Sequence, residues 1–124
     1  MAKCEEGYLC DVCGEDVERI TDSHLYLSYV IGELDPELLR TTRERHIRCN
    51  PVLAQFIVHD DFPPVEAEAP FNKRQLDAGF VRERERLVTR GYQRLRELEG
   101  SDVPILEYPL PEIRAEWERR AHTP

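Results

Sequence analysis

Cys10 and Cys13 are separated by two residues, and so are His46 and Cys49. No other feature of the chain limits its fold so strongly. Two residues at that spacing can reach one ion across a tight turn, and Gly14 follows the first pair where the turn must reverse and a positive φ is needed. Thiolate and imidazole are the donors that zinc takes, four at the corners of a tetrahedron. The pairing therefore predicts one structural zinc held by Cys10, Cys13, His46 and Cys49. The 32 residues between the pairs leave room for a hairpin and a short helix. A redox pair at Cys10 and Cys13 is the competing reading. It needs a βαβ context, and no strand-like apolar run precedes Cys10. Iron would also accept sulfur, but the imidazole favours zinc.

A metal matters more in a chain with a modest core. The chain has 124 residues, of which 40% are hydrophobic, and small domains often need a metal or disulfide. The net charge is −8, which opposes non-specific binding to nucleic acid or to an anionic membrane. The first 62 residues carry 6 Lys+Arg and 13 Asp+Glu; the last 62 carry 11 and 12. No apolar stretch approaches the roughly 20 residues that span a bilayer. The N-terminus, Met-Ala-Lys-Cys-Glu-Glu, has no apolar run of the signal-peptide kind. A cytoplasmic location is expected, where paired cysteines are more often metal ligands than disulfides.

Along the chain, Val17 to Ile20 suits a short strand. Leu25, Leu27, Tyr29 and Ile31 alternate with His24, Tyr26, Ser28 and Val30, a period of two that predicts a half-buried strand, with a helix as the alternative. Asp35-Pro36 and Asn50-Pro51 are helix starts, each a capping residue followed by proline. The second leads through Leu53, Phe56 and Ile57. Phe62 to Pro70, with three prolines and two glutamates, reads as an extended acidic linker. A long helix is predicted over residues 71–99, with Leu76, Phe80, Leu87, Gly91, Leu95 and Leu98 on one face. Arg84 falls inside that face, where it needs a carboxylate partner or a place at the rim. The stretch from Val103 to Pro111 is too proline-dense for a helix, and a last short helix spans Glu112 to Ala121. The expected fold class is α+β: a zinc-stabilised module (residues 1–61), a linker (62–70), and an amphipathic helix with a proline-rich tail (71–124).

Tyr8-Leu9-Cys10-Asp11-Val12-Cys13-Gly14 resembles the knuckle that opens treble-clef zinc fingers. In that superfamily a knuckle and hairpin precede a helix whose first turn supplies the last two ligands, here matched by His46 and Cys49. Because Pro51 places the helix start after Cys49, a zinc-ribbon-like pair of knuckles is the other arrangement. The resemblance spans residues 8–58. It implies a zinc-bearing fold and no particular function, since the superfamily serves DNA, RNA and protein binding alike.

Other candidates are weaker. Cys4 and His24 are alternative fourth ligands. His59 with Asp60 and Asp61 resembles a carboxylate–histidine site but reads more simply as a polar helix end. No phosphate loop, nucleophile elbow or His-Glu-x2-His motif occurs, and four good ligands describe a closed site. A non-enzymatic protein is expected. Its leading role is a protein-interaction adaptor, with residues 71–124 contacting a second copy or another protein. Lys73, Arg74, Arg82, Arg84, Arg86, Arg90, Arg94 and Arg96 form a basic stripe, and Arg40, Arg43, Arg45 and Arg48 crowd the second ligand pair. These clusters support the alternative, a nucleic-acid-binding regulator.

Overall fold

The computed structural model describes residues 9–121; Cys4, the alternative ligand, lies outside them. Its helices are α1 (His24–Val30), α2 (Pro51–Ala54), α3 (Ala78–Leu98) and α4 (Pro111–Ala121). Single 3₁₀ turns at Ile20–Asp22, Pro36–Leu38, Ile47–Cys49, Lys73–Gln75 and Ile105–Glu107 connect them. Among the described residues no sheet forms, and β-pairing is confined to the isolated antiparallel bridges Leu9↔Asp16, Ser23↔His46 and His59↔Phe62. The α+β expectation is thus corrected to a mostly helical fold.

The physical reason lies in residues 23–31. Leu25, Tyr26, Leu27, Tyr29, Val30 and Ile31 are all buried. A segment enclosed on nearly every side has no polar face to set a period, so its alternation carries no information about conformation. Local capping favours the helix. Ser23 Oγ accepts the Tyr26 N–H at 3.0 Å, satisfying a first-turn donor. Only His24 and Ser28, one turn apart, leave α1 partly open to solvent. The strand expected at Val17–Ile20 is likewise absent: Val17 is buried in irregular chain and Ile20 opens a 3₁₀ turn.

Helix α3 crosses α1 at Gly91. A Cβ there would lie 2.4 Å from Ile31 Cγ2 and 3.0 Å from Leu27 Cδ1, so the absence of a side chain lets the two backbones approach. Val88, Tyr92, Leu95 and Leu98 surround that contact and are buried. The face predicted for this helix is right at Gly91, Leu95 and Leu98 and wrong at Phe80, which is 53% exposed. Asp77 caps the N-terminus, its Oδ2 accepting from Phe80 N at 3.0 Å. The helix therefore starts seven residues later than the apolar pattern suggests, after a separate 3₁₀ turn.

The tail returns to α1. Tyr29 Oη donates to Ile105 O at 2.9 Å, and Leu110 N donates to Val30 O at 3.0 Å. Tyr108 and Trp117 pack against the Tyr29 ring, with centroids 6.5 and 6.1 Å away. Arg94 donates to the carbonyls of Tyr108 and Glu107, both at 2.9 Å. One buried cluster includes Leu53 and Phe56 together with Val88, Leu95 and Leu110. Phe62 and Ala67, from the segment predicted as a linker, are buried too. Arg84 pairs with Glu33 of the same chain.

Candidate metal centre

The first ligand pair sits on a reversed turn. Gly14 N donates to Cys10 O at 2.9 Å and Cys10 N to Glu15 O at 2.8 Å. Gly14 has φ +79°, which is costly for a residue with a Cβ. The second pair is fixed by the 3₁₀ turn Ile47–Cys49, where Cys49 N donates to His46 O at 3.0 Å. Both late ligands precede α2, as Pro51 at its first position implies. The Asp11 N to Glu44 O hydrogen bond at 3.0 Å brings the two turns side by side, and the bridge between Ser23 and His46 ties the second to the start of α1.

The four predicted ligands converge. The Sγ atoms of Cys10, Cys13 and Cys49 and a ring nitrogen of His46 all lie within 4.8 Å of one another. Nδ1 of His46 is 3.3 Å from Cys13 Sγ and 3.9 Å from Cys49 Sγ. A tetrahedral zinc with bonds of about 2.3 Å to sulfur has ligand atoms about 3.8 Å apart, so the cluster needs little adjustment to close on an ion. These residues can hold a metal, and three sulfurs with one imidazole are a set compatible with zinc. His24 is not brought to the cluster; its Nε2 lies 2.9 Å from Asn50 Nδ2. His59 is 2.8 Å from Gln93 Oε1 and accepts from Asp61 N at 3.0 Å; it lies in the isolated bridge with Phe62, beyond the end of α2, so the expected helix end is not where it sits.

The surroundings orient the donors. His46 Nε2 lies 2.9 Å from the Asp16 carbonyl. A proton on Nε2 would leave Nδ1, the atom facing the sulfurs, with its lone pair free for a metal. Backbone N–H groups of Val12 and His46 both point at Cys10 Sγ, at 3.4 Å. Burial pushes the Cys10 thiol up, yet hydrogen bonds from the backbone of Cys13, His46 and Val12 outweigh it and bring the pKa to about 6. Cys49 is pushed up to about 12 by burial and by the neighbouring Cys10 and Cys13 thiols. The pattern is that of sulfurs too close to be ionised together without a cation. For His46, burial opposes the charged ring, but the Cys10 sulfur and the Asp16 carbonyl prevail and raise it.

Two supporting groups carry no sequence signal that marks them as such. Glu44 is 2% exposed, and its carboxylate accepts from Ser23 Oγ (2.8 Å), Arg45 N (2.9 Å) and Leu25 N (3.2 Å). It therefore ties the start of α1 to the residues just before His46. Asp11, inside the first turn, pairs with Arg45 at 2.9 Å. A third supporter, Asp16, acts through its backbone, which any residue would supply.

Among the described residues no helix is long and apolar enough to cross a membrane. Compared with protein-family models, curated proteins and solved structures, the chain matches none of them.

Proposed function

We propose that the chain is a non-enzymatic protein in which Cys10, Cys13, His46 and Cys49 hold one structural zinc ion, and that it serves as an interaction module for another protein. The observation that carries this reading is the convergence of all four donors within 4.8 Å. Zinc bound there would supply a cross-link between two turns 32 residues apart in sequence and would compensate the crowded thiolates. A fourth protein donor leaves no position open for a substrate or water, which favours a structural over a catalytic site.

We assign the contact region to residues 71–124. Phe71, Phe80, Ile105 and Leu106 are between 41% and 67% exposed, while the rest of the apolar face in this half is used internally. The basic stripe gives less support to nucleic acid. Arg84 pairs with Glu33, Arg90 with Glu112, Arg86 with Glu83, Arg96 with Asp61, and Lys73 with Glu85. Cations already paired gain less from phosphate contact.

Metal content tests the first half of the reading. The purified chain should carry one zinc, and Cys49→Ala should lose it. A metal-free chain with an unchanged circular dichroism spectrum would overturn it. Cross-linking in an extract of the native host tests the second half. A partner complex insensitive to moderate salt is expected; one that dissociates steeply with salt would favour nucleic acid.

A further inference from the structure

A cleft beside the candidate metal centre is not part of it. Its volume is about 580 Å³, within the usual range for ligand sites. The open stripe of α1, His24 and Ser28, forms one wall. Asn50, directly after Cys49, joins them through its amide contact with His24 at 2.9 Å. Phe56, Phe71 and Phe80 supply the apolar walls, with Phe56 and Phe80 edge to face at 6.2 Å. Glu33 and Arg84 stand at the border and neutralise each other in a two-point pair, one contact at 3.0 Å.

These groups define an occupant. Aromatic walls favour a flat ring, which packs edge to face or offset against phenylalanine. The polar groups on the wall are a hydroxyl, an amide and an imidazole, so they select an uncharged hydrogen-bonding edge. An ionised ligand would have to break the Glu33–Arg84 pair or be buried uncompensated. The border decides between a free molecule and a side chain. Phe71 is 58%, Phe80 53% and Val52 44% exposed. A small molecule seated in the cleft leaves these outer surfaces in water, whereas a polypeptide chain carrying the ring covers them.

We infer that this cleft receives an uncharged aromatic side chain, of the tryptophan or tyrosine kind, presented by an apolar segment of a partner protein. The inference rests on the adaptor reading above and assigns it a surface. Aromatic anchors in a pocket ringed by apolar contacts are the usual centres of binding energy in such interfaces.

The test uses the zinc-loaded full chain, labelled with nitrogen-15, and follows amide shifts. Probes are indole, p-cresol, the charged analogues indole-3-acetate and tryptamine, and a short capped peptide with a central tryptophan between valines. Indole and p-cresol should move the amides of Ser28, Asn50 and Phe80. The charged analogues should bind about tenfold more weakly, and the peptide about tenfold more tightly than indole. Phe80→Asp, at an exposed position, should remove binding of every probe, and Phe71→Ser should weaken the peptide more than indole. Unmoved cleft amides, or charged analogues binding as well as indole, would overturn the inference. So would a peptide no tighter than free indole, which would make the occupant a small molecule. A partner cross-linked at full strength to the Phe80→Asp chain would overturn this cleft assignment while leaving the adaptor reading intact.

Discussion

The substitution Gly91→Ala measures the crossing of α1 and α3 directly. In an exposed helix this change stabilises by about 1 kcal/mol, because alanine has the better helix propensity. Here the new methyl would lie 2.4 Å from Ile31 Cγ2 and 3.0 Å from Leu27 Cδ1. Ordinary carbon contacts are about 3.5–4.0 Å, so the Ile31 methyl must retreat by about 1 Å. Ile31 is 2% exposed and Leu27 fully buried, leaving little space for the movement. Overpacking of this kind costs about 1–3 kcal/mol, and the severity of the contact places it near the upper end. The expected balance is a net loss of about 2 kcal/mol. For a chain of this length that lowers Tm by about 8 °C. Thermal unfolding followed by circular dichroism, with saturating zinc in all samples, gives the value. Ile31→Ala removes the opposing methyl, so in that background Gly91→Ala should become neutral or stabilising by up to about 1 kcal/mol. If Gly91→Ala raises the Tm of the otherwise unchanged chain, the close crossing is not present as described.

Chelation should unfold the segment around residues 9–61, because metal binding and folding are coupled; the readout is loss of the circular dichroism signal in step with released zinc. Acid should act in the same direction, since protons compete with the metal for the three sulfurs and the imidazole, and zinc affinity should fall continuously as pH drops. Glu44→Ala should cost about 3 kcal/mol, because it leaves the Ser23 hydroxyl and the Leu25 and Arg45 N–H groups without their acceptor; denaturant midpoints measure it, and a cost below about 1 kcal/mol would refute the capping role. Arg90 holds the Glu112 carboxyl below its usual value of 4.5. A depressed folded pKa contributes stability above the unfolded value and loses it as pH falls through the folded one. Glu112→Gln should therefore cost about 0.5 kcal/mol at neutral pH, as expected for a half-exposed pair, and nothing in strong acid. Equal costs at both pH values would show that the pair does not act through charge.

The four candidate ligands were legible from sequence because their requirements are local. Two-residue spacings set which donors can share an ion, Gly14 permits the turn between the first pair, and Pro51 marks where α2 begins. The long helix was legible for the same reason, down to Gly91, Leu95 and Leu98 on its buried face. The segment from His24 to Ile31 was not, and with it went the fold class. Its alternation suggested a strand, with a helix as the alternative, but α3, the tail and residues 44–47 enclose it on almost every side, and two partly open residues, His24 and Ser28, are too few to set a clear amphipathic period. Its cap depends in part on Glu44, some twenty residues away in the chain. Phe80 was misplaced in the core because the helix pattern alone cannot say where the partner helix ends. The partner of Arg84 was equally hidden, since Glu33 is 51 residues distant. Spacing on the chain determined the candidate ligands; packing decided the conformation of α1, because the burial of all but its His24–Ser28 stripe is a property of the neighbours and not of the segment.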